Sequence, residues 1–358
     1  MKVLFTCADR PAMSRNKYYR ELLSSKYEYS EAVSHGDTYA KRLPSIFFQL
    51  LYKMWNKDVY FVSYMGYFLV IFLRIFTKKT IVFDYYVSLH DMMVKDRKVF
   101  AVDSLLGKIT FWLDKRSLEL ADYVIVDTTQ LINTAVENYG VDRAKFTRLP
   151  LAVNEEKIFK KDVERHKDMF TMVYMGSYIP FHGVDIVMNA AKILEDQGEE
   201  VYFLMLGKGQ KYAESTALAK KHALKNIEFI DYVSMEELND YYNASDVTLG
   251  AYGAGERAKV FITNKAYESF AVGKPHLTLD TPAMNELFVG DESIFFVKDS
   301  TPESLAQKIS EIKNDDDLRK KVANNAYELY LKTLTNKSVT VLLEEKILSK
   351  LYKEDNEN

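Results

Sequence analysis

Residues 261–287 gather two carboxylates, Glu268 and Glu286, with the amide of Asn264 and the ammonium groups of Lys265 and Lys274. The pattern around them reads as a helix, a Gly273-Lys274-Pro275 break, a strand, and a turn through Thr281-Pro282. A carboxylate on an otherwise apolar helix face is costly to bury unless a partner or a ligand hydroxyl satisfies it. Glu268 is in that position, and a sugar is a ligand that supplies hydroxyls. An ion pair with Lys265 or Lys274 is the other way to satisfy it. Lys265 lies one turn before Glu268 and shares its helix face.

A second block, residues 174–185, has the chemistry for an anion. A strand pattern ends at Gly176, a short loop passes through Ser177, and His182-Gly183 precedes an amphipathic helix. Backbone N–H groups at such a helix start, together with its dipole, attract a diphosphate. Its charge needs cations as well, and Arg257, Lys259 and Lys265 are the nearest in sequence, with Lys265 preferred. Gly207-Lys208-Gly209 follows the next strand at the carboxyl edge where α/β sheets bind ligands, or is a plain turn with a solvated lysine. In the first half, Asp84, His90 and Asp91 share one loop after a strand; helix capping is the alternative role for the acids.

Together these blocks resemble the nucleotide-sugar signature of retaining glycosyltransferases of the GT-B fold, the family 4 type also called glycosyl transferases group 1. The resemblance puts Glu268 at the ribose and Ala271-Val272-Gly273-Lys274-Pro275 at the break that follows it. It implies a donor site of Gly176, Ser177, His182, Tyr232, Glu268 and Thr281, with Tyr232 near the base; Lys208, at the sheet's carboxyl edge, and Asn264, in the polar cluster of Glu268, join it by position. Lys265 and Arg257, as the nearest cations in sequence, and Glu286, whose matching turn in the family lies near the donor sugar, are the catalytic candidates, and Asp84, His90 and Asp91 lie in the acceptor-side region. The chain departs from the pattern at Val260, where a second glutamate is usual, and at Ser177 and His182, where arginine and lysine are usual. The implied activity is transfer of a hexose-type sugar from a nucleotide-diphosphate sugar, UDP-sugar first, to a glycan or lipid-linked acceptor in bacterial cell-surface polysaccharide synthesis. A GT-B nucleotide-sugar epimerase and a catalytically silent partner subunit are the alternatives. No metal or other cofactor is implied, and no Asp-x-Asp closes a strand.

Apolar strand-like runs alternate with helical patterns throughout, which argues for parallel sheets built of βαβ units. The runs are 3–7, 59–62, 80–83, 123–126 and 145–149, then 170–175, 201–206, 227–230, 247–249, 276–279 and 294–297. Two Rossmann-like domains are expected, 1–160 on the acceptor side and 161–335 on the donor side, with a charged surface linker near 154–168. The GT-B resemblance adds a cleft between the domains and a C-terminal helix, 336–358, that crosses back to the first domain. Thr301-Pro302-Glu303 reads as a helix start with apolar spacing at Leu305, Ile309 and Ile312.

A length of 358 residues suffices for two cores, and 47% hydrophobic with 28% charged residues describes a globular chain. The one cysteine, Cys7, and a start without a signal-like apolar region lead to an expected cytoplasmic location. Nucleotide-binding motifs of kinases and dehydrogenases are missing, as is metal-ligand histidine spacing. Residues 1–160 hold 24 Lys and Arg against 18 Asp and Glu within a chain of net charge -3, so the first half faces something anionic. Between Tyr39 and Thr80 lie twelve aromatic residues and seven cations but one acid, Asp58. That composition suits an anionic membrane surface and a peripheral place at the inner face of the membrane. A buried helix–strand–helix core is the alternative, and no nucleic-acid partner is expected.

Overall fold

The computed structural model describes residues 1–164 and 168–351. It divides into two compact units, residues 1–152 together with the chain from Asn336 onward, and residues 153–335.

In the first unit six strands run parallel in the order β2-β1-β3-β4-β5-β6. They are β1 Lys2–Thr6, β2 Glu28–Ala32, β3 Val59–Val62, β4 Thr80–Asp84, β5 Tyr123–Val126 and β6 Phe146–Arg148. Central strands such as β3 are buried on both faces, which is why they read as unbroken apolar runs. Helices α1 Ser14–Lys26, α2 Tyr39–Lys53, α3 Tyr67–Phe76, α4 Leu105–Leu120 and α5 Thr129–Tyr139 complete the layers. Ile46, Leu50, Leu69, Leu73, Leu113 and Leu131 of α2 to α5 share one core. The other core joins α1 to the terminal helical segment, whose Val339, Leu343 and Ile347 pack with Val3, Phe5 and Phe61. Residues 352–358 of the expected C-terminal helix lie outside the described residues.

Strand β2 is absent from the sequence expectation, and its composition explains why. It is an edge strand, Glu28-Tyr29-Ser30-Glu31-Ala32, without an apolar run. Glu31 is held there by two bonds of 2.8 Å from the Arg20 guanidinium.

The second unit is again a parallel six-stranded sheet, in the order β12-β11-β10-β7-β8-β9. Its strands are β7 Phe170–Met175, β8 Val201–Leu206, β9 Ile227–Ile230, β10 Val247–Leu249, β11 His276–Leu279 and β12 Phe295–Val297. Helices α6 Val184–Asp196, α7 Tyr212–Lys221, α8 Met235–Ala244, α9 Glu256–Val260, α10 Asn264–Ala271, α11 Pro302–Asn314 and α12 Asp316–Leu329 connect and cover them. Thr301 caps α11 by accepting from Ser304 N, and Asp315 caps α12 by accepting from Leu318 N. Strand order reverses between β7 and β10, and ligands of such sheets bind at the carboxyl ends of that pair.

The charged segment read as a surface linker is fastened to α8. Phe159 N donates to Asn239 Oδ1 and Lys161 N to Asn243 Oδ1, each at 3.0 Å, and Asn243 Nδ2 donates back to Phe159 O. Its charged side chains mark it as surface, but two buried amides satisfy its backbone, so it belongs to the second unit. Residues 165–167 of the expected linker lie outside the described residues.

Candidate functional site

Three loops meet at the carboxyl edge of the second sheet, and glycine is what lets them meet. A Cβ on Gly209 would lie 1.5 Å from Ser177 O, and one on Gly207, whose φ is +97°, 2.3 Å from Gly176 O. The Gly176-Ser177 and Gly207-Lys208-Gly209 turns are therefore stacked backbone on backbone, which a plain solvated turn does not require. The loop after β10 locks against the first of them. Tyr252 N donates to His182 O and Gly253 N to Phe181 O, each at 3.0 Å.

Helix α10 lays its side chains under this edge. Asn264 is exposed in the first turn, while Lys265 is only 5% exposed. The Lys265 ammonium has no hydrogen-bond partner among the described residues and lies 4.5 Å from the centre of the Tyr174 ring. Burial pushes its pKa down to about 7, against the pull of the Glu268 charge. Glu268 accepts from the Tyr242 hydroxyl at 3.0 Å, and burial raises its pKa while Tyr242 and Lys265 lower it. Below them His276 Nδ1 lies 2.7 Å from Thr248 Oγ1 and 3.1 Å from Ser269 Oγ. Burial and the Lys265 charge push His276 down to about 3, so its imidazole is neutral. An unpaired buried ammonium beside a carboxylate is a poor structural device and a ready anion site.

Most of the remaining donor-side residues converge on the same edge. The His182 Nδ1 is 2.7 Å from the Tyr174 hydroxyl, whose ring also faces Lys265. Arg257 lies over Phe181 at 4.7 Å and Phe261 at 5.3 Å, and the Phe181 ring packs against His182. The turn that carries Thr281 and Glu286 is tied to α9 through Ala283 N, which donates to Lys259 O at 3.1 Å. Thr281 is buried, accepting from Met284 N, and Glu286 closes the next short helical turn. Lys208 instead pairs with Asp231 at 2.7 Å, Ser177 is exposed, and the Tyr232 side chain is 82% exposed.

In the first unit the three acceptor-side candidates have separate surroundings. Asp84 is buried in a bidentate pair with Arg15, at 2.5 and 2.7 Å, so its carboxylate is committed. His90 Nδ1 faces Gly107 O and Thr110 Oγ1, both at 3.1 Å, and Asp91 pairs with Lys95 at 2.7 Å. Asp114 on α4 fastens their loop, accepting from Leu89 N, His90 N, the Ser88 hydroxyl and the Tyr139 hydroxyl at 2.8 to 3.0 Å. Burial raises its pKa to about 7.

Sequence reasoning missed Arg15, Asp114, Tyr174, Tyr242 and His276. Only Asp114 left a trace, as an acid in the buried stripe Leu113-Asp114-Ser117-Leu118.

Residues 155–329, nearly the whole second unit, match the family model of glycosyl transferases group 1. Along nearly all of its length the second unit is thus similar to glycosyl transferases group 1. Two uncharacterized glycosyltransferases of Methanocaldococcus jannaschii are 22% and 24% identical to the chain over 65% and 47% of its length. The matches span 58% and 45% of those relatives. Sucrose-phosphate synthase of Thermosynechococcus elongatus superposes with a TM-score of 0.78 at 15% identity, over 99% of this chain and 98% of that one. Anabaena HepE in complex with UDP and glucose gives 0.74 at 14% identity, over 98% and 100%. The pneumococcal O-GlcNAc transferase GtfA in complex with UDP and GlcNAc gives 0.64, over 86% and 59%. The two units thus have the GT-B fold of two Rossmann-like domains.

Proposed function

We propose that the protein is a retaining glycosyltransferase that moves a hexose-type sugar from a UDP-sugar to a glycan or lipid-linked acceptor in bacterial cell-surface polysaccharide synthesis. It works in the cytoplasm at the inner face of the membrane. The observation that carries this reading is the unpaired, buried Lys265 ammonium beside Glu268 at the switch point of the second unit's sheet. The donor's diphosphate supplies the anion that Lys265 lacks, and Arg257 adds charge as the leaving group develops it. Glu268 accepts the ribose hydroxyls, while Thr281 and Glu286 line the sugar. The two cations missing at Ser177 and His182 are thereby replaced from α9 and α10, and no metal ion is needed. That the HepE and GtfA structures hold UDP supports this choice of nucleotide.

Calorimetry with UDP, GDP, ADP and dTDP tests the reading, followed by incubation of the matching nucleotide-sugars without acceptor. Binding of UDP with slow release of free sugar is expected. An epimerised nucleotide-sugar would identify the epimerase instead, and binding of no nucleotide would leave the silent subunit.

A further inference from the structure

Helices α2, α3 and α4 each bury one apolar stripe in the first unit's core, which is the ordinary arrangement for a layer over a sheet. Each also carries a second apolar stripe, and that one is exposed. On α2 and just beyond, it is Phe48, Leu51, Tyr52 and Trp55; on α3, Phe68, Ile75 and Phe76; on α4, Leu105, Leu106, Ile109 and Trp112. The three helices are neighbours on one face of the sheet, with the Phe47 and Phe72 rings 4.9 Å apart and α3 packed on α4. Residues 39–112 are about a fifth of the chain yet hold 14 of the 19 exposed large apolar side chains among the described residues. Clustering of this kind marks an interaction surface.

The charge of this layer selects the occupant. Between residues 39 and 120 nine lysines and arginines are exposed, against the two exposed acids Asp103 and Glu119. Glu119 is already paired with Lys115 and Arg116, while Lys78, Lys79, Lys98 and Lys108 carry no ion pair among the described residues. Exposed aromatic and aliphatic side chains together with unpaired lysines complement a bilayer with anionic head groups. A pocket of about 520 Å³ opens within the layer. Tyr39, Phe68, Leu106 and Ile109 line it and are themselves exposed, and Met65, Met92 and Met93 form much of its apolar wall. Its size is in the range of small-molecule sites.

We infer that the first unit docks on an anionic lipid bilayer through the outer faces of α2, α3 and residues 99–112, and that the pocket receives a hydrocarbon chain from that bilayer. This rests on the reading of a lipid-linked acceptor for the purpose it serves, but the docking itself does not depend on the donor.

The chain has two tryptophans, Trp55 and Trp112, which lie 61% and 53% exposed on this layer, so tryptophan emission, excited where tyrosine does not absorb, reports on it alone. The full chain is titrated with phosphatidylcholine vesicles containing about a third phosphatidylglycerol, with and without brominated chains, and UDP binding is measured separately in the absence of lipid. Docking blue-shifts the emission, brominated chains quench it, and raised salt weakens both effects. The double variant Ile75→Glu, Leu105→Glu is expected to bind vesicles roughly tenfold or more weakly while binding UDP as the parent does. No shift and no co-sedimentation with anionic vesicles overturns the proposal, whatever the UDP result. A blue shift that grows with protein concentration without lipid also overturns it, assigning the layer to a second copy of the chain.

Discussion

Replacing Lys265 with methionine separates a ligand-binding role from a structural one, because the two roles move stability in opposite directions. Without ligand, burial lowers the Lys265 pKa from 10.5 to about 7. At about 1.4 kcal/mol per pH unit, keeping the ammonium in the empty site costs on the order of 5 kcal/mol. The sign follows from proton counts: between about pH 7 and 10.5 the unfolded chain binds the lysine proton and the folded chain does not. Stability from this group therefore rises with pH across that window, and below it the full penalty stands. Methionine matches the lysine stem, removes the charge, and leaves Glu268 its bond from Tyr242. Swaps of buried charges for apolar side chains of like volume are often neutral or stabilising by about 1–4 kcal/mol, so thermal melting at pH 7 should show an unchanged or raised midpoint. UDP affinity should fall, since a hydrogen bond to a charged group contributes about 1.5–3 kcal/mol, or about 10- to 150-fold. In the parent, diphosphate binding favours the charged ammonium, so calorimetry at pH 8 in buffers of different ionisation enthalpy should find proton uptake that the variant lacks. A variant that melts lower and binds UDP as tightly as the parent refutes the reasoning and makes Lys265 a structural partner of Glu268.

Glu268→Gln keeps the Tyr242 contact but loses the charge that accepts ribose hydroxyls, so UDP should bind about tenfold or more weakly while deoxyribose analogues lose less; equal losses for both would remove Glu268 from the ribose. Gly209→Ala places a Cβ where Ser177 O stands, forcing the two glycine turns apart at about 1–3 kcal/mol. Melting should report that loss and calorimetry a weaker UDP. Arg15→Met leaves Asp84 buried and unpaired, which should destabilise the first unit by about 3–5 kcal/mol in denaturant titrations without altering UDP affinity.

Spacing and residue type alone were enough to read the two α/β sheets, since central parallel strands are buried on both faces and must be apolar whatever packs on them. The Glu268 helix, the Gly-Lys-Pro break and the glycine turns were legible for a related reason: each breaks a local rule, by an acid on an apolar face or a residue with no side chain. Strand β2 was not, because an edge strand needs no apolar run. Nor were the partners that set the chemistry. Tyr174, Tyr242 and His276 come from β7, α8 and β11, elements far apart in sequence, and look like ordinary core residues there. Whether Asp84 was free or committed depended on Arg15, 69 positions away. The aromatic and basic run from Tyr39 announced an unusual surface, but only the folded layer shows that three helices turn second apolar stripes outward around one pocket. A linear pattern records which faces must avoid water. Which charges end up buried together, and which of them is left without a partner, is decided when separate elements pack, since burial and proximity in space set the energy of a charge.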